Sequence, residues 1–148
     1  MQYAFNKKAT FNYEVLEKFE SGISLLGFEV KSVKNNRANL EGSYIIIRGG
    51  EVFLVNADIP PYQIKNTPET YDQHQPRKLL LTKKEIKKLN DSLNQKGLTL
   101  IPVSLYNKGR NIKLEFALAK GKKKFDKRET IKKRESDRDI QRTLKGKR

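Results

Sequence analysis

Tyr44-Ile45-Ile46-Ile47-Arg48-Gly49-Gly50-Glu51-Val52-Phe53-Leu54-Val55 is a pair of β-rich runs joined by two glycines. β-Branched and aromatic side chains suit a pleated strand, and a two-residue turn asks for positive φ at both central positions, which glycine adopts without strain. The stretch predicts a β-hairpin. A second hairpin lies further on. Ile112, Leu114, Phe116 and Leu118 alternate with Lys113, Glu115 and Ala117, and Asn107–Asn111 is the turn that separates this run from a strand over Leu98 to Leu105.

Upstream, Phe11 to Leu26 is rich in strand formers. Tyr13, Val15, Phe19, Ile23 and Leu25 share one parity, so a strand of period two places them on one face. Gly22 within this pattern predicts a bend or bulge. In Gly27–Lys34, Val30 and Val33 are three apart, which fits a short helix that exposes Lys31 and Lys34 together. Ile59-Pro60-Pro61-Tyr62 breaks the pattern, and residues 63–76 read as a long loop. Arg77-Lys78-Leu79-Leu80-Leu81 leads into a helix that starts at a capping box of Thr82 and Glu85, buries Ile86, Leu89 and Leu93, and stops at Gly97. Five or six short strands with hairpins and a few helices predict a mainly β chain built as a small antiparallel barrel with flanking helices.

The charge is uneven. Formal net charge is +15, and residues 120–148 carry 14 basic and 5 acidic side chains, most of that excess. The expected division is a folded domain over 1–120 and a basic C-terminal tail over 121–148. The tail offers only Phe125, Ile131, Ile140 and Leu144 as large apolar residues, too few to offset the entropy of ordering it, so it is expected to be disordered when free. It is also a latent helix: Glu129 and Lys133 stand in the favourable i,i+4 order, and no Gly or Pro interrupts Lys122 to Lys145. Fully helical, residues 120–148 would span roughly 40 Å, enough to enter a phosphate-lined channel.

A strongly basic chain points to a polyanion, with nucleic acid ahead of an anionic membrane because the tail lacks an apolar helical face. No run reaches a membrane span, the N-terminus has no hydrophobic leader core, and a cytoplasmic location is expected. With no Cys there is no thiolate nucleophile or Cys-based zinc site. His74 is the single histidine, in a polar loop, and neither a P-loop nor a metal-spaced cluster is present. No catalytic set, cofactor or metal is expected, although a carboxylate- and metal-dependent nuclease is the rival from another class. Asn6, Lys7, Lys8, Lys31, Lys34, Arg37, Arg77, Lys78, Lys120 and Lys122 are the candidates for lining one RNA-binding face.

Taken in order, Asn6-Lys7-Lys8-Ala9, Phe19-Glu20-Ser21-Gly22-Ile23, Gly27-Phe28-Glu29-Val30-Lys31-Ser32, Arg77-Lys78-Leu79-Leu80-Leu81 and Ala119-Lys120-Gly121-Lys122-Lys123 with Asp126-Lys127-Arg128 resemble the SsrA-binding protein (SmpB) family over nearly the whole chain. The resemblance implies an OB-like β-barrel that binds the tRNA-like domain of tmRNA. It implies rescue of ribosomes stalled on messages lacking a usable stop codon, with elongation factor Tu in the delivery complex. It implies a tail that becomes helical in the empty message channel beside the small-subunit decoding centre. A monomer is expected. By position, Glu20, Leu80 and Thr82 match residues used for tmRNA binding, and Ser32 of the matched segment joins that set. Asp126, Lys127 and Arg128 match residues needed for tagging, and Lys123, Lys124, Phe125, Lys132, Lys133 and Arg134 complete the tail set. Thr82 stands where relatives carry Asn, and Phe125 where some carry His. Glu20 has three readings: orienting a neighbouring Lys, accepting from a base edge, or supporting the fold through an internal hydrogen bond. The alternative within the binding class is a general RNA-binding or ribosome-associated OB-type protein.

Overall fold

The computed structural model describes residues 1–95 and 97–122. Its elements are β1 (Gln2–Phe5), α1 (Lys7–Asn12), β2 (Tyr13–Ile23), α2 (Gly27–Lys34), β3 (Tyr44–Arg48), β4 (Glu51–Val55), β5 (Arg77–Leu80), α3 (Lys83–Leu93), β6 (Leu98–Lys108) and β7 (Asn111–Gly121). One antiparallel sheet carries all seven strands in the order β1-β6-β7-β2-β5-β4-β3. Both sequence-predicted hairpins form. Gly49 and Gly50 take φ of +60° and +75° between β3 and β4, as the tight turn requires.

The mainly β antiparallel class holds, but the expected barrel is not closed. β1 and β3 remain the two edges of the ladder. The sheet curls instead, bringing Cα atoms of β3 within 8 Å of β6. Two bulges on either side of β7 contribute to the curl. Leu16 is an extra residue in β2 against β7, and Val103 is one in β6 against β7. A bulge bends its strand and raises the local twist.

The β2 bulge corrects the sequence reading of that strand. Tyr13 and Val15 do not share a face with Phe19 and Ile23. The extra residue reverses the parity, so Tyr13 and Val15 pack with Ala9, Ile101, Val103, Ala117 and Ala119, while Phe19 and Ile23 pack with the main core. Gly22 is not the bulge. It lies in register with Leu80, and a Cβ there would meet the Leu80 side chain at 3.1–3.2 Å. Phe11 and Asn12, read as strand, close α1 instead.

The main core joins Val52, Leu54, Leu79, Leu100, Leu105, Leu114 and Phe116 from the sheet to Val33 of α2 and Leu89 of α3. Phe19 stacks on Phe116 with ring centroids 5.4 Å apart. α3 starts where the sequence predicts, with the Thr82 hydroxyl accepting from the Glu85 N–H and the Glu85 carboxylate accepting from the Thr82 N–H. Its lead-in is itself a strand, β5. The long loop is also anchored. It makes a single 3-10 turn at Ile64–Asn66, and Tyr71 folds back so that its hydroxyl donates to the Ile59 carbonyl at 2.7 Å.

Candidate nucleic-acid interface

Strand parity sorts the candidates on β5. Arg77 and Leu79 point in; Lys78 and Leu80 point out. Arg77 is therefore not a phosphate contact, contrary to the sequence expectation. Its guanidinium is buried and donates to the Glu29 carboxylate through Nε at 2.9 Å and Nη2 at 2.6 Å, to the Ala57 carbonyl at 2.6 Å and to the Gln73 carbonyl at 2.9 Å. The Tyr71 hydroxyl also stands 2.9 Å from Glu29 Oε2, so that the carboxylate and the Ile59 carbonyl share its one proton, and Glu29 accepts from the Leu26 N–H at the start of α2. Burial and the Glu29 carboxylate push the Tyr71 phenol well above its usual range. The sequence showed a basic pair, Arg77-Lys78, but it takes the parity of a strand to see that only one of the two faces water.

Ser32 and Asn6 are corrected in the same way. Ser32 is fully buried and donates to the Pro60 carbonyl at 2.6 Å. Asn6 is buried, accepts from the Ala9 N–H as the cap of α1, and donates to the Pro102 carbonyl at 3.0 Å. Pro102 stands in β6 beyond the end of its pairing with β1, so Asn6 takes a carbonyl that the ladder leaves over.

The remaining candidates other than Glu20 fall into three groups. Lys78, Leu80 and Thr82 line one groove of about 490 Å³ between β5 and the start of α3. Leu80 is 56% exposed, large and apolar, and also borders a second groove with Gly22, Arg110 and Lys113. Lys31, Lys34 and Arg37 gather on α2 and the turn after it; Lys31 Nζ lies 5.9 Å from the Tyr62 ring centroid. Lys7, Lys8, Lys120 and Lys122 belong to the end of the sheet that α1 covers, where Tyr13 pairs with Gly121 and the Lys122 N–H donates to the Asn12 carbonyl.

Glu20 is held on the outer face. Its carboxylate accepts from the Tyr106 hydroxyl and from Lys108 Nζ at 3.1 Å, both reaching across β7 from β6. These hydrogen bonds, Tyr106 first, keep its carboxyl below the usual range, while burial and the same contact raise the Tyr106 phenol. Two of its three readings, orienting a Lys and bonding internally, are thus one arrangement. Tyr106 and Lys108 were not singled out in sequence, because nothing local connects positions 86 and 88 residues apart from Glu20.

Charge compensation divides the cations further. Lys8, Lys18, Lys78, Lys88 and Lys108 each have a carboxylate within 4.0 Å: Glu41, Glu115, Glu51, Glu17 and Glu20 respectively. Hydrogen bonding to Glu41 raises the Lys8 ammonium above its usual range. His74 Nε2 stands 3.6 Å from Asp58 in an exposed setting. Among the described residues no three His, Asp or Glu side chains are grouped to hold a metal, and no helix is long and apolar enough to cross a membrane. The tail residues Lys123, Lys124, Phe125, Asp126, Lys127, Arg128, Lys132, Lys133 and Arg134 lie outside the described residues.

Residues 3–146 match the model of a family described as SmpB protein. The chain is 50% identical over 146 residues to the SsrA-binding protein of Syntrophobacter fumaroxidans, covering 97% of this chain and 88% of the relative. It is 49% identical to that of Thermosipho melanesiensis, covering 97% of both, and 48% identical to that of Gloeothece citriformis, covering 95% and 90%. A chain of the solved structure "tmRNA-SmpB: a journey to the center of the bacterial ribosome" superposes with a TM-score of 0.67 at 40% identity, covering 81% of this chain and 84% of that one.

Proposed function

Since the chain belongs to the SmpB family, we propose that it is a non-enzymatic RNA-binding adaptor of trans-translation. It binds the tRNA-like domain of tmRNA with its folded domain, residues 1–120, and brings it to ribosomes stalled on messages without a usable stop codon. The tail, residues 121–148, takes up the vacated message channel near the small-subunit decoding centre, becomes helical there, and reports that no message is present. Elongation factor Tu accompanies the delivery, and the protein acts as a cytoplasmic monomer. The observation that carries this reading is that the family match runs through both parts, residues 3–146, rather than stopping with the sheet.

On the folded domain the contact set is Leu80, Thr82 and Lys78 at the β5–α3 groove, with Glu20, Lys31, Lys34, Arg37, Lys7, Lys8, Lys120 and Lys122 around it. Phosphate contacts from the cations set affinity, and an exposed apolar Leu80 beside polar neighbours suits packing against a sugar or base. The full-length protein is tested against tRNA-like and linear RNA. Affinity for the tRNA-like RNA is expected to be the higher, with log K falling against log salt by ~0.7–0.9 per neutralised phosphate. Replacing Asp126, Lys127 and Arg128 by Ala is expected to leave that affinity in place and remove peptide tagging. Equal affinity for linear RNA would favour the general RNA binder instead.

A further inference from the structure

The loop between β4 and β5 holds its first turn unusually firmly for a surface segment. Ser32 Oγ donates to the Pro60 carbonyl at 2.6 Å, and Arg37 Nη1 donates to the Pro61 and Tyr62 carbonyls at 3.3 and 3.1 Å. The Ile59 N–H donates to the Gln73 carbonyl, and the buried Arg77 holds that same carbonyl from inside. Three residues that sequence placed in an RNA site, Ser32, Arg37 and Arg77, thus converge on the backbone that presents Tyr62.

Tyr62 is 37% exposed and helps to line a groove of about 780 Å³ with Arg37, Pro60, Pro61, Ile64 and Lys65. Among the described residues no acidic side chain lines that groove. Lys31 stands at the ring and Lys34 one helical turn beyond it. Among the described residues none of Lys31, Lys34, Arg37 and Lys65 has a carboxylate within ion-pair distance, unlike the cations paired with Glu17, Glu20, Glu41, Glu51 and Glu115. Uncompensated cations release counterions when a phosphate replaces them, and an aromatic ring fixed on a rigid backbone offers a stacking face at small entropic cost.

We propose that this groove seats one unstacked nucleotide of the bound RNA, its base on the Tyr62 ring and its flanking phosphates against Lys31, Arg37 and Lys65. An acidic protein segment would use the cations but would leave the ring without a role; an unpaired nucleotide uses both. The inference rests on the RNA-binding reading above and adds a contact point away from the β5–α3 groove.

The test uses the full-length protein and a fluorescent tRNA-like RNA. Tyr62→Ala is expected to weaken binding about tenfold with the salt slope unchanged, and Tyr62→Phe to restore it, since stacking needs the ring and not the hydroxyl. Replacing Lys31 and Lys65 together by Gln is expected to lower the salt slope by about 1.4–1.8, while Tyr62→Ala does not. RNA carrying 4-thiouridine at its unpaired positions should crosslink to the peptide that contains Tyr62. Wild-type affinity in Tyr62→Ala overturns the site and leaves the family reading standing. Loss of ribosome association with affinity for the tRNA-like RNA unchanged assigns the groove to the ribosome and overturns it too. A wild type that prefers no RNA sinks the tmRNA-adaptor reading alone, and Tyr62 is then scored on linear RNA.

Discussion

Arg77 and Glu29 form an ion pair whose side chains are each 1% exposed, with Nη2 and Oε2 2.6 Å apart. Such a pair is not in itself a large source of stability, because both ions leave water to make it. Removing one partner is another matter. Glu29 would keep the Leu26 and Tyr71 hydrogen bonds and lose its counter-charge. Arg77→Met in the full-length protein is expected to cost ~3–5 kcal/mol by urea denaturation. A loss below ~1 kcal/mol would mean that the pair is solvated, against its burial.

Glu20 supplies the pH prediction. Its folded-state carboxyl is depressed, chiefly by the hydrogen bond from Tyr106 and then by that from Lys108. A depressed acid stabilises the fold above its unfolded value, and that contribution drains away as pH falls through the lower folded value. Carbon-13 NMR of the Glu20 carboxyl should show titration below the usual range. In Tyr106→Phe the midpoint should climb back toward it. An unmoved midpoint removes Tyr106 as the cause.

Gly22 is where Leu80 packs. A Cβ at Gly22 would stand 3.1 Å from Leu80 Cδ1 and 3.2 Å from its Cβ. The methyl end can turn aside, but Leu80 Cβ is fixed to β5. Gly22→Ala is expected to lose ~1–3 kcal/mol and to shift the Leu80 methyl resonances, with weaker RNA binding alongside. Unchanged methyl shifts would rule out the displacement.

Thr82 separates capping from contact. Thr82→Ala should cost ~0.5–2 kcal/mol of stability, since the Glu85 N–H loses its acceptor, whereas Thr82→Asn should keep the helix start. If Thr82→Asn is as stable as wild type yet differs in RNA affinity, the side chain touches RNA as well as capping α3. Identical stability in Thr82→Ala would show that the cap contributes nothing.

Much of this architecture is legible from residue order alone, and the misses have physical causes. The two hairpins, α2 and the start of α3 announce themselves through period, glycine pairs and a capping box, which are local signals. β1 and β5 are four residues each, too short for a period to register, and they become strands only because β6, β2 and β4 offer partners. Site residues divide along the same line. Lys31, Lys34, Lys78 and Leu80 emerge at the surface. Arg77, Ser32 and Asn6 do not, because a lone polar side chain carries no local mark of the carbonyl or carboxylate that will claim it. Tyr62 went unnoticed because its proline neighbours read only as a break.

The unpaired Leu16 sets up an unusual genetic sensitivity. An in-frame loss of that single codon would let β2 and β7 pair without interruption, Val15 still opposite Ala119 and Glu17 still opposite Leu118, so no side chain would change face but the local bend and added twist would go. Tyr13 and Val15 would keep their side of the sheet, but the straighter strand would carry α1 and its seam away from the angle the curl gives them. Most substitutions of Leu16 should be harmless, since it is half exposed, while its absence should flatten the strand and weaken the packing that depends on the curl. At this position selection acts on spacing and is nearly indifferent to chemistry.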